Sequence, residues 1–297
     1  MGKHAFLLQV HNNKNQLIKL LTYLDHPKND IFVHVDAKSS ELDGIEQFRT
    51  KHSKLIFVQR IRVYWGGYSQ IQVEMELLKS AISLGKYDRY HLISGADMPL
   101  VTVKELHSFF DKRADTEFIH FDINQDETMI SDRVAQYHWL RNRIDRSQRI
   151  LCGIEKISLV IQKFLGVNRW KNCRYVLRKG ANWFSITDDC ARYICSQSEW
   201  VDAHFKYTKC CDEVFLQTLV YNSKFKDHLY PKTEEFIYEN MRLTDWKRGN
   251  PYTFKSDDIE LLFSSGYIFA RKFDEKVDAN VIDEIYNKLS NVNSEGD

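Results

Sequence analysis

The sequence predicts an α/β protein with a mostly parallel central sheet and helices on both of its faces. Apolar residues at helical spacing predict helices near residues 17–24 and 71–82. Strands that alternate with helices indicate a parallel sheet between helical layers. The strands themselves are predicted by four short apolar runs: 5–11, 31–36, 55–58 and 90–95.

Length and charge exclude several classes of protein. A chain of 297 residues can form one large α/β domain or two small ones. Its 42 Lys and Arg nearly cancel its 41 Asp and Glu, which excludes a general nucleic-acid binder. No apolar window approaches the roughly 18 to 20 residues of a membrane span. The six cysteines include an adjacent pair and no zinc-type double CxxC, so we expect reduced thiols in a cytoplasm.

Polar side chains follow the ends of several predicted strands. His11, His34, Asp36 and Asp97 all fall at or just after such ends, where ligands bind in parallel sheets. His34 and Asp36 share one side of an extended strand, so a metal-dependent hydrolase or phosphoesterase could use these four residues, with His91 nearby. The favoured interpretation is instead a His and an Asp that bind loop backbone at a strand end.

Two adjacent cations, Arg271 and Lys272, follow the apolar run of residues 267–270. An ionisable side chain that is nearly buried must be neutral, paired with an opposite charge, or close to a ligand of opposite charge. This segment therefore predicts a bound anion.

Asp212 and Glu213 directly precede a predicted helix, whose positive end favours ionised carboxylates. Glu213 is thus a candidate base, although an ordinary acidic first turn is the alternative. Trp65, before two glycines, and Trp183, after Gly180, are candidates for stacking on a sugar or for core packing. Ser69 and Thr187 are predicted helix caps.

The segment 141–179 is strongly basic, with 11 Lys and Arg against Asp145 and Glu155, an excess of 11 − 2 = +9. Within residues 150–165, apolar side chains repeat at helical spacing. Such a helix could lie on an anionic membrane. Alternatively, it packs on the sheet and exposes a basic side to solvent.

Six motifs occur in the order and spacing of one known family: "HVDAKS", "VYWGGYSQIQ", "LISGADMPL", "GANWFSI", "DEVFLQTLV" and "IFARKFD". In these motifs the chain resembles the core-2/I-branching glycosyltransferases, the family that includes peptide O-xylosyltransferases, over roughly residues 5–290. The resemblance implies a GT-A-like nucleotide-sugar transferase fold, a UDP-sugar donor, and transfer with inversion to a β-linkage. It also implies catalysis without a metal, which agrees with the absence of any Asp-x-Asp in the chain.

The resemblance also implies roles for individual residues. Glu213 matches the catalytic base, in a motif that reads Cys-Asp-Glu here where the family usually has Pro-Asp-Glu. Because neighbouring side chains on an extended segment point to opposite sides, we expect Lys272 to face the donor and Arg271 to pair with Asp274 or with a carboxylate across the fold. The predicted donor and diphosphate residues are Lys272, Arg271, Arg248, His11, Asp36 and Asp97. The predicted sugar and acceptor residues are Trp65, Trp183 and Asp212.

These observations together predict one glycosyltransferase domain, residues 1–297, with a donor-binding half (1–125) and an acceptor and catalytic half (126–297). We expect a bacterial-type cytoplasmic enzyme, because the secretory membrane anchor and disulfide-rich stem of the family are not seen in the sequence. The basic helix at 150–165 is expected to place it at the inner face of the plasma membrane. GlcNAc and xylose are the expected sugars, and an oligosaccharide or lipid-linked glycan of polysaccharide or glycolipid synthesis is the expected acceptor. The alternatives are the metal-dependent hydrolase and a non-catalytic carbohydrate-binding relative.

Overall fold

A computed structural model describes residues 2–123, 127–143, 148–233 and 237–294. The strands in these ranges are β1 (His4–Val10), β2 (Asn29–Val35), β3 (Lys54–Phe57), β4 (Arg89–Ser94), β5 (Asp97–Pro99), β6 (Phe118–Ile119), β7 (Phe184–Ile186), β8 (Arg242–Thr244) and β9 (Phe269–Arg271). The helices are α1 (Lys14–Leu24), α2 (Ser69–Leu84), α3 (Val103–Asp111), α4 (Glu127–Val134), α5 (Arg149–Phe164), α6 (Asp188–Ser196), α7 (Ser198–Phe205), α8 (Phe215–Tyr221), α9 (Ile259–Ser264) and α10 (Ala279–Ser294).

The central sheet has the strand order β3-β2-β1-β4-β7-β6. Strands β1 to β4 pair in parallel and correspond to the four apolar runs of the sequence. Strand β7 is antiparallel to both of its neighbours, so the other five strands share one direction. The predicted mostly parallel α/β class is confirmed.

The two faces of β1 show why helices cover both sides of the sheet. Phe6 and Leu8 point into one apolar core, which includes side chains of α1, α3 and α10. Ala5 and Leu7 point into a second core on the opposite face, with side chains of α2, α6 and α8. Since successive side chains of a strand alternate, an uninterrupted apolar strand requires cover on both faces.

A smaller sheet joins the C-terminal part of the chain to the strand ends of the central sheet. Its order is β5-β9-β8, with β9 antiparallel to β5 and parallel to β8. Arg242 in β8 is fully buried, and its guanidinium donates to the carbonyl oxygens of Leu92 in β4 (3.1 Å) and Phe184 in β7 (2.6 Å). The two predicted halves therefore share both sheets, and their separate roles stay a prediction.

The two predicted helix caps have different outcomes. Thr187 caps α6, because its hydroxyl accepts a hydrogen bond from the Cys190 amide at 3.2 Å. The prediction for Ser69 is wrong, since α2 already begins there. The Ser69 hydroxyl instead accepts a hydrogen bond from the Tyr64 amide at 2.8 Å and so closes the preceding turn.

The basic segment forms α5, but the helix has an unexpected orientation. Its buried residues are the polar Glu155 and Gln162, whereas its apolar stripe faces outward. The interpretation that this stripe packs on the sheet is therefore wrong. Asp145 and Arg146 lie outside the described residues. None of the described helices combines the length and apolar character needed to cross a bilayer.

Candidate active site

A cavity of about 1000 Å³ opens beyond the carboxyl ends of β1, β2 and β4. Segments from the second half of the chain close its other side. Eight of the ten predicted site residues line this cavity: His11, Asp36, Trp65, Trp183, Asp212, Glu213, Arg271 and Lys272. Residues that are far apart in sequence therefore form one site, as the positions of the strand ends predicted.

Asp97 lies behind the wall of the cavity and orients Arg271. Its carboxylate is almost fully buried and lies 3.2 Å from the Arg271 guanidinium, which also donates to the Ser94 hydroxyl at 3.0 Å. The guanidinium carbon lies 4.4 Å from the centre of the Trp183 ring. Arg271 thus pairs with a carboxylate across the fold while it still faces the cavity.

Lys272 also faces the cavity, so the expected separation of the two cations to opposite sides is not observed. Within the described part of the chain, its ammonium has no hydrogen bond or ion pair. Desolvation lowers the pKa of His11, and the charges of Lys272 and Arg271 lower it further, against the opposing effect of Asp36. This wall is therefore positively charged, and its cations are available to an anion.

His34 and Asp36 bind loop backbone, as the favoured interpretation predicted. His34 Nε2 accepts a hydrogen bond from the Ile61 amide at 2.9 Å. The Asp36 carboxylate accepts hydrogen bonds from the amides of Lys38 (2.9 Å) and Val63 (3.2 Å). These bonds hold the loops after β2 and β3 at the edge of the cavity, and they engage two groups that the metal-hydrolase alternative needs as ligands.

A three-residue group elsewhere in the described structure has metal-binding geometry. Side chains of His4, His107 and Asp111 place their ligand atoms within 4.8 Å of one another. His4 begins β1, so this group lies at the opposite end of the strand from the cavity. It is separate from the four residues of the metal-hydrolase alternative.

Glu213 faces the cavity between two cations. Its carboxylate lies 2.6 Å from the Arg133 guanidinium and 3.7 Å from the Lys179 ammonium. About a third of the side chain is exposed. A carboxylate that is held between two cations and partly open to the cavity is placed to act as a base toward a bound hydroxyl.

Asp212 lies at the buried edge of the cavity lining and anchors the loop that holds Trp65. Its carboxylate accepts a hydrogen bond from the side-chain amide nitrogen of Gln70 at 2.7 Å. The side-chain oxygen of Gln70 in turn accepts a hydrogen bond from the backbone amide of Gly66. Burial, and then the charge of Glu213, raises the pKa of Asp212 to about 7. Asp212 is therefore placed to position the Trp65 loop and to respond to pH near neutrality.

Gly180 allows the backbone to approach closely beside Glu213. Its amide donates a hydrogen bond to the Glu213 carbonyl oxygen at 3.0 Å. A Cβ atom at this position would lie 1.9 Å from the His120 carbonyl oxygen. Only glycine fits here without a shift of the backbone, so residue 180 helps to set the position of the candidate base.

Arg248 is placed outside the cavity lining, although Trp246 and Asn250 on either side line it. Its guanidinium pairs with Asp245 and lies 2.6 Å from the Asp258 carboxylate. The guanidinium carbon also lies 4.0 Å from the centre of the Tyr252 ring. In this structure Arg248 therefore holds the loop at 245–258 together.

Several residues that line the cavity or contact its lining were not singled out from the sequence. Lys179 immediately precedes the motif "GANWFSI", which begins at Gly180. Its position next to this motif could have identified it as a site residue. Arg133 lies in α4, where no strong apolar period marks a buried side. His120 lines the cavity and its Nδ1 atom lies 2.5 Å from the Glu239 carboxylate. Such contacts depend on how distant segments pack, which local patterns do not specify.

The chain is similar to known xylosyltransferases. Xylosyltransferase 2 of Canis lupus familiaris is 24% identical over 94% of this chain and 33% of its own length. The xylosyltransferase of Ciona intestinalis is 22% identical over 96% of this chain and 34% of its own length. The chain thus spans about a third of these relatives.

One solved structure, the apo form of mouse xyloside xylosyltransferase 1, aligns with 91% of this chain and 97% of its own, at 11% identity and a TM-score of 0.37. The family model of the Core-2/I-branching enzyme matches residues 4–263. That range includes every strand of the central sheet and the candidate base. The chain belongs to the Core-2/I-branching enzyme family.

Proposed function

We propose that this chain is an inverting glycosyltransferase that moves a sugar from a UDP-sugar to an acceptor hydroxyl. The main support is that one cavity is lined both by a carboxylate, Glu213, and by two cations, Arg271 and Lys272. A displacement at a sugar carbon needs a base for the incoming hydroxyl and a stabilising charge for the departing diphosphate. Family membership supports the same reaction class.

In the proposed reaction, Glu213 removes the proton from the acceptor hydroxyl as the oxygen attacks the anomeric carbon. Arg133 and Lys179 hold the carboxylate in position until the hydroxyl binds. Attack from the face opposite the diphosphate forms the new glycosidic bond and breaks the old one in a single step, so the configuration inverts. The buried Asp212, through Gln70, holds the Trp65 side of the cavity against the sugar or the acceptor.

Lys272 and Arg271 are proposed to stabilise the negative charge that develops on the leaving UDP. Asp97 fixes the Arg271 guanidinium in place before the donor binds, so little reorganisation is needed at the moment of reaction. The Lys272 ammonium contributes a compact charge that no described carboxylate neutralises. We propose that these fixed cations replace a divalent metal, in agreement with the absence of Asp-x-Asp from the sequence.

For the donor sugar we propose xylose or GlcNAc. Xylose is supported by the names of the relatives. For the acceptor we propose an oligosaccharide or a lipid-linked glycan of bacterial polysaccharide or glycolipid synthesis. We place the enzyme in the cytoplasm, at the inner face of the plasma membrane. Six free cysteines, three of them buried, support a reducing compartment.

The test combines binding with turnover. Thermal shift with UDP, UDP-xylose and UDP-GlcNAc identifies the donor, because a ligand of the folded state raises the Tm. UDP release is then measured with and without an added glycoside acceptor. We expect Glu213→Gln to keep the thermal shift and to lose acceptor-dependent release, whereas Glu199→Gln, on the exposed side of α7, keeps both.

Two other results would reject the proposal. Sugar binding by the wild type without UDP release in the presence of any acceptor would favour the carbohydrate-binding relative. Hydrolysis that needs a metal and no acceptor would favour the metal-dependent hydrolase.

A further inference from the structure

Helix α5 is fixed to the protein by its polar side. The Gln162 side chain accepts a hydrogen bond from the Tyr137 amide (2.7 Å) and donates one to the Tyr137 carbonyl oxygen (3.0 Å). Two turns earlier, the Glu155 carboxylate lies 3.7 Å from His138 Nδ1 and 3.9 Å from the Arg141 guanidinium. These contacts turn the opposite side of the helix away from the protein.

The outward side of α5 is apolar. Ile150 is 82% exposed and Phe164 is 90% exposed, and the side chains between them on the same stripe are more than half exposed. The stripe recurs every three or four residues, so it forms one continuous surface: Ile150, Ile154, Ile157, Ile161 and Phe164. A continuous exposed apolar surface of this kind indicates an interaction site.

The charges beside this stripe identify the partner. Arg149, Lys156 and Lys163 are exposed and spaced by seven residues, so they form a line along one edge of the stripe. The acid of the helix, Glu155, faces inward. An anionic lipid surface matches both features, because the apolar side chains enter the acyl boundary while Arg149 and Lys156 contact the head groups. Lys163 pairs with Asp132. A second copy stacked stripe to stripe would cover the apolar side chains but would bring no acid of α5 to the line of cations, because Glu155 faces inward.

We propose that α5 docks the protein on membranes that contain anionic lipids. This inference deepens the proposed function and rests on it, because the lipid-linked acceptor is part of that proposal. Lys163 pairs with Asp132 at 2.9 Å, and the next residue, Arg133, holds the candidate base Glu213. The docking helix therefore contacts the element that supports the base, and docking places a lipid-linked acceptor near the cavity.

The experiment is co-sedimentation of the full chain with vesicles of phosphatidylcholine, alone or mixed with phosphatidylglycerol. We expect binding to the mixed vesicles only, and weaker binding in high salt. Arg149→Gln with Lys156→Gln should lower binding roughly thirtyfold, because each cation near an anionic surface contributes about a factor of five. Ile157→Glu with Phe164→Glu should abolish it. Leu261→Glu, at an exposed apolar residue of α9, is the matched control and should bind like the wild type.

UDP release with a water-soluble acceptor distinguishes this inference from the proposed function. Variants of the stripe should keep that activity, because none of these residues lines the cavity. Docking is wrong if wild-type binding is absent, or is equal for neutral and mixed vesicles. A dimer in solution that Ile157→Glu dissociates would assign the stripe to a second copy and would also overturn the inference. If the wild type transfers sugar to no acceptor, the proposed function is rejected. The vesicle experiment then decides by itself whether α5 docks on membranes.

Discussion

The Asp97 carboxylate and the Arg271 guanidinium lie 3.2 Å apart although 174 positions separate them in the chain. Asp97 also accepts a hydrogen bond from the Ser94 amide at the end of β4. The two residues are cross-strand partners within the small sheet, Asp97 in β5 and Arg271 in β9, and both also bond to Ser94 at the end of β4. The contacts that attach the small sheet to the central sheet therefore also aim a cation at the cavity.

Asp97→Asn tests this pair. Removal of one partner of a buried ion pair leaves an uncompensated charge, so we expect the free energy of unfolding to fall by about 3 kcal/mol. A guanidinium that is misplaced by about 1 Å should lower kcat/KM for the donor by roughly ten- to a hundredfold. Urea unfolding and steady-state kinetics measure the two effects. Asp43→Asn, at a largely exposed ion pair, should change neither by much. Unchanged kinetics in Asp97→Asn would show that Arg271 needs no such support.

Lys272→Ala separates a role in phosphate stabilisation from a structural role. If the ammonium contacts the leaving diphosphate, its attraction grows in the transition state, so kcat should fall more than donor KM rises. The expected loss is about 10²- to 10³-fold, with little change in Tm. Kinetics and melting curves are compared with those of Lys276→Ala, whose exposed ammonium pairs with Glu41 at 2.8 Å. A destabilised Lys272→Ala enzyme with near-normal kcat would assign the lysine to the fold.

Chelation tests the proposed metal-free chemistry. Because fixed cations line the cavity and the sequence has no Asp-x-Asp, we expect turnover to persist in excess EDTA. UDP release before and after chelation is the measurement. Loss of nearly all activity, with recovery on addition of manganese, would contradict the prediction and return attention to His34 and Asp36.

Asp212→Asn should stabilise the protein at alkaline pH. Burial raises the pKa of Asp212 in the folded state to about 7, so the folded protein holds this proton more tightly than the unfolded chain does. The stability that comes from this proton is lost as pH rises toward 7, and a neutral asparagine avoids that loss. We expect the Tm of the variant to exceed that of the wild type by a few degrees at pH 8 and to match it near pH 4. Equal melting curves at both pH values, as expected for the exposed control Asp227→Asn, would exclude this effect.

Local patterns in the sequence were sufficient for the first four strands and for α1 and α2. Each of these elements carries its own apolar run or its own apolar residues at helical spacing, so it can be located without knowledge of its distant neighbours. The position of β7 between β4 and β6 was not predicted, because three residues from a distant part of the chain have no distinctive pattern. The insertion of β9 between β5 and β8 was missed for the same reason.

The candidate site shows the same limit. Strand ends and motifs located eight of its lining residues, because their positions follow from chain direction. The partners of these residues were not found: Arg133 beside Glu213, and Gln70 between Asp212 and the Trp65 loop. Likewise, helical spacing revealed an apolar stripe on α5, but spacing alone does not show whether such a stripe faces the core or the solvent.

The buried Arg242 has a consequence for how the chain can be divided. Its guanidinium reaches the carbonyl oxygens of residues 150 and 58 positions earlier in the chain. A fragment that ends near residue 125 would lack this donor, and the complementary fragment would keep the Phe184 acceptor but lose the carbonyl oxygen of Leu92. Neither fragment is expected to fold alone, so domain exchange with relatives would have to keep both together. Contacts over such separations also predict slow folding, with the N-terminal strands waiting for the last third of the chain to be synthesised.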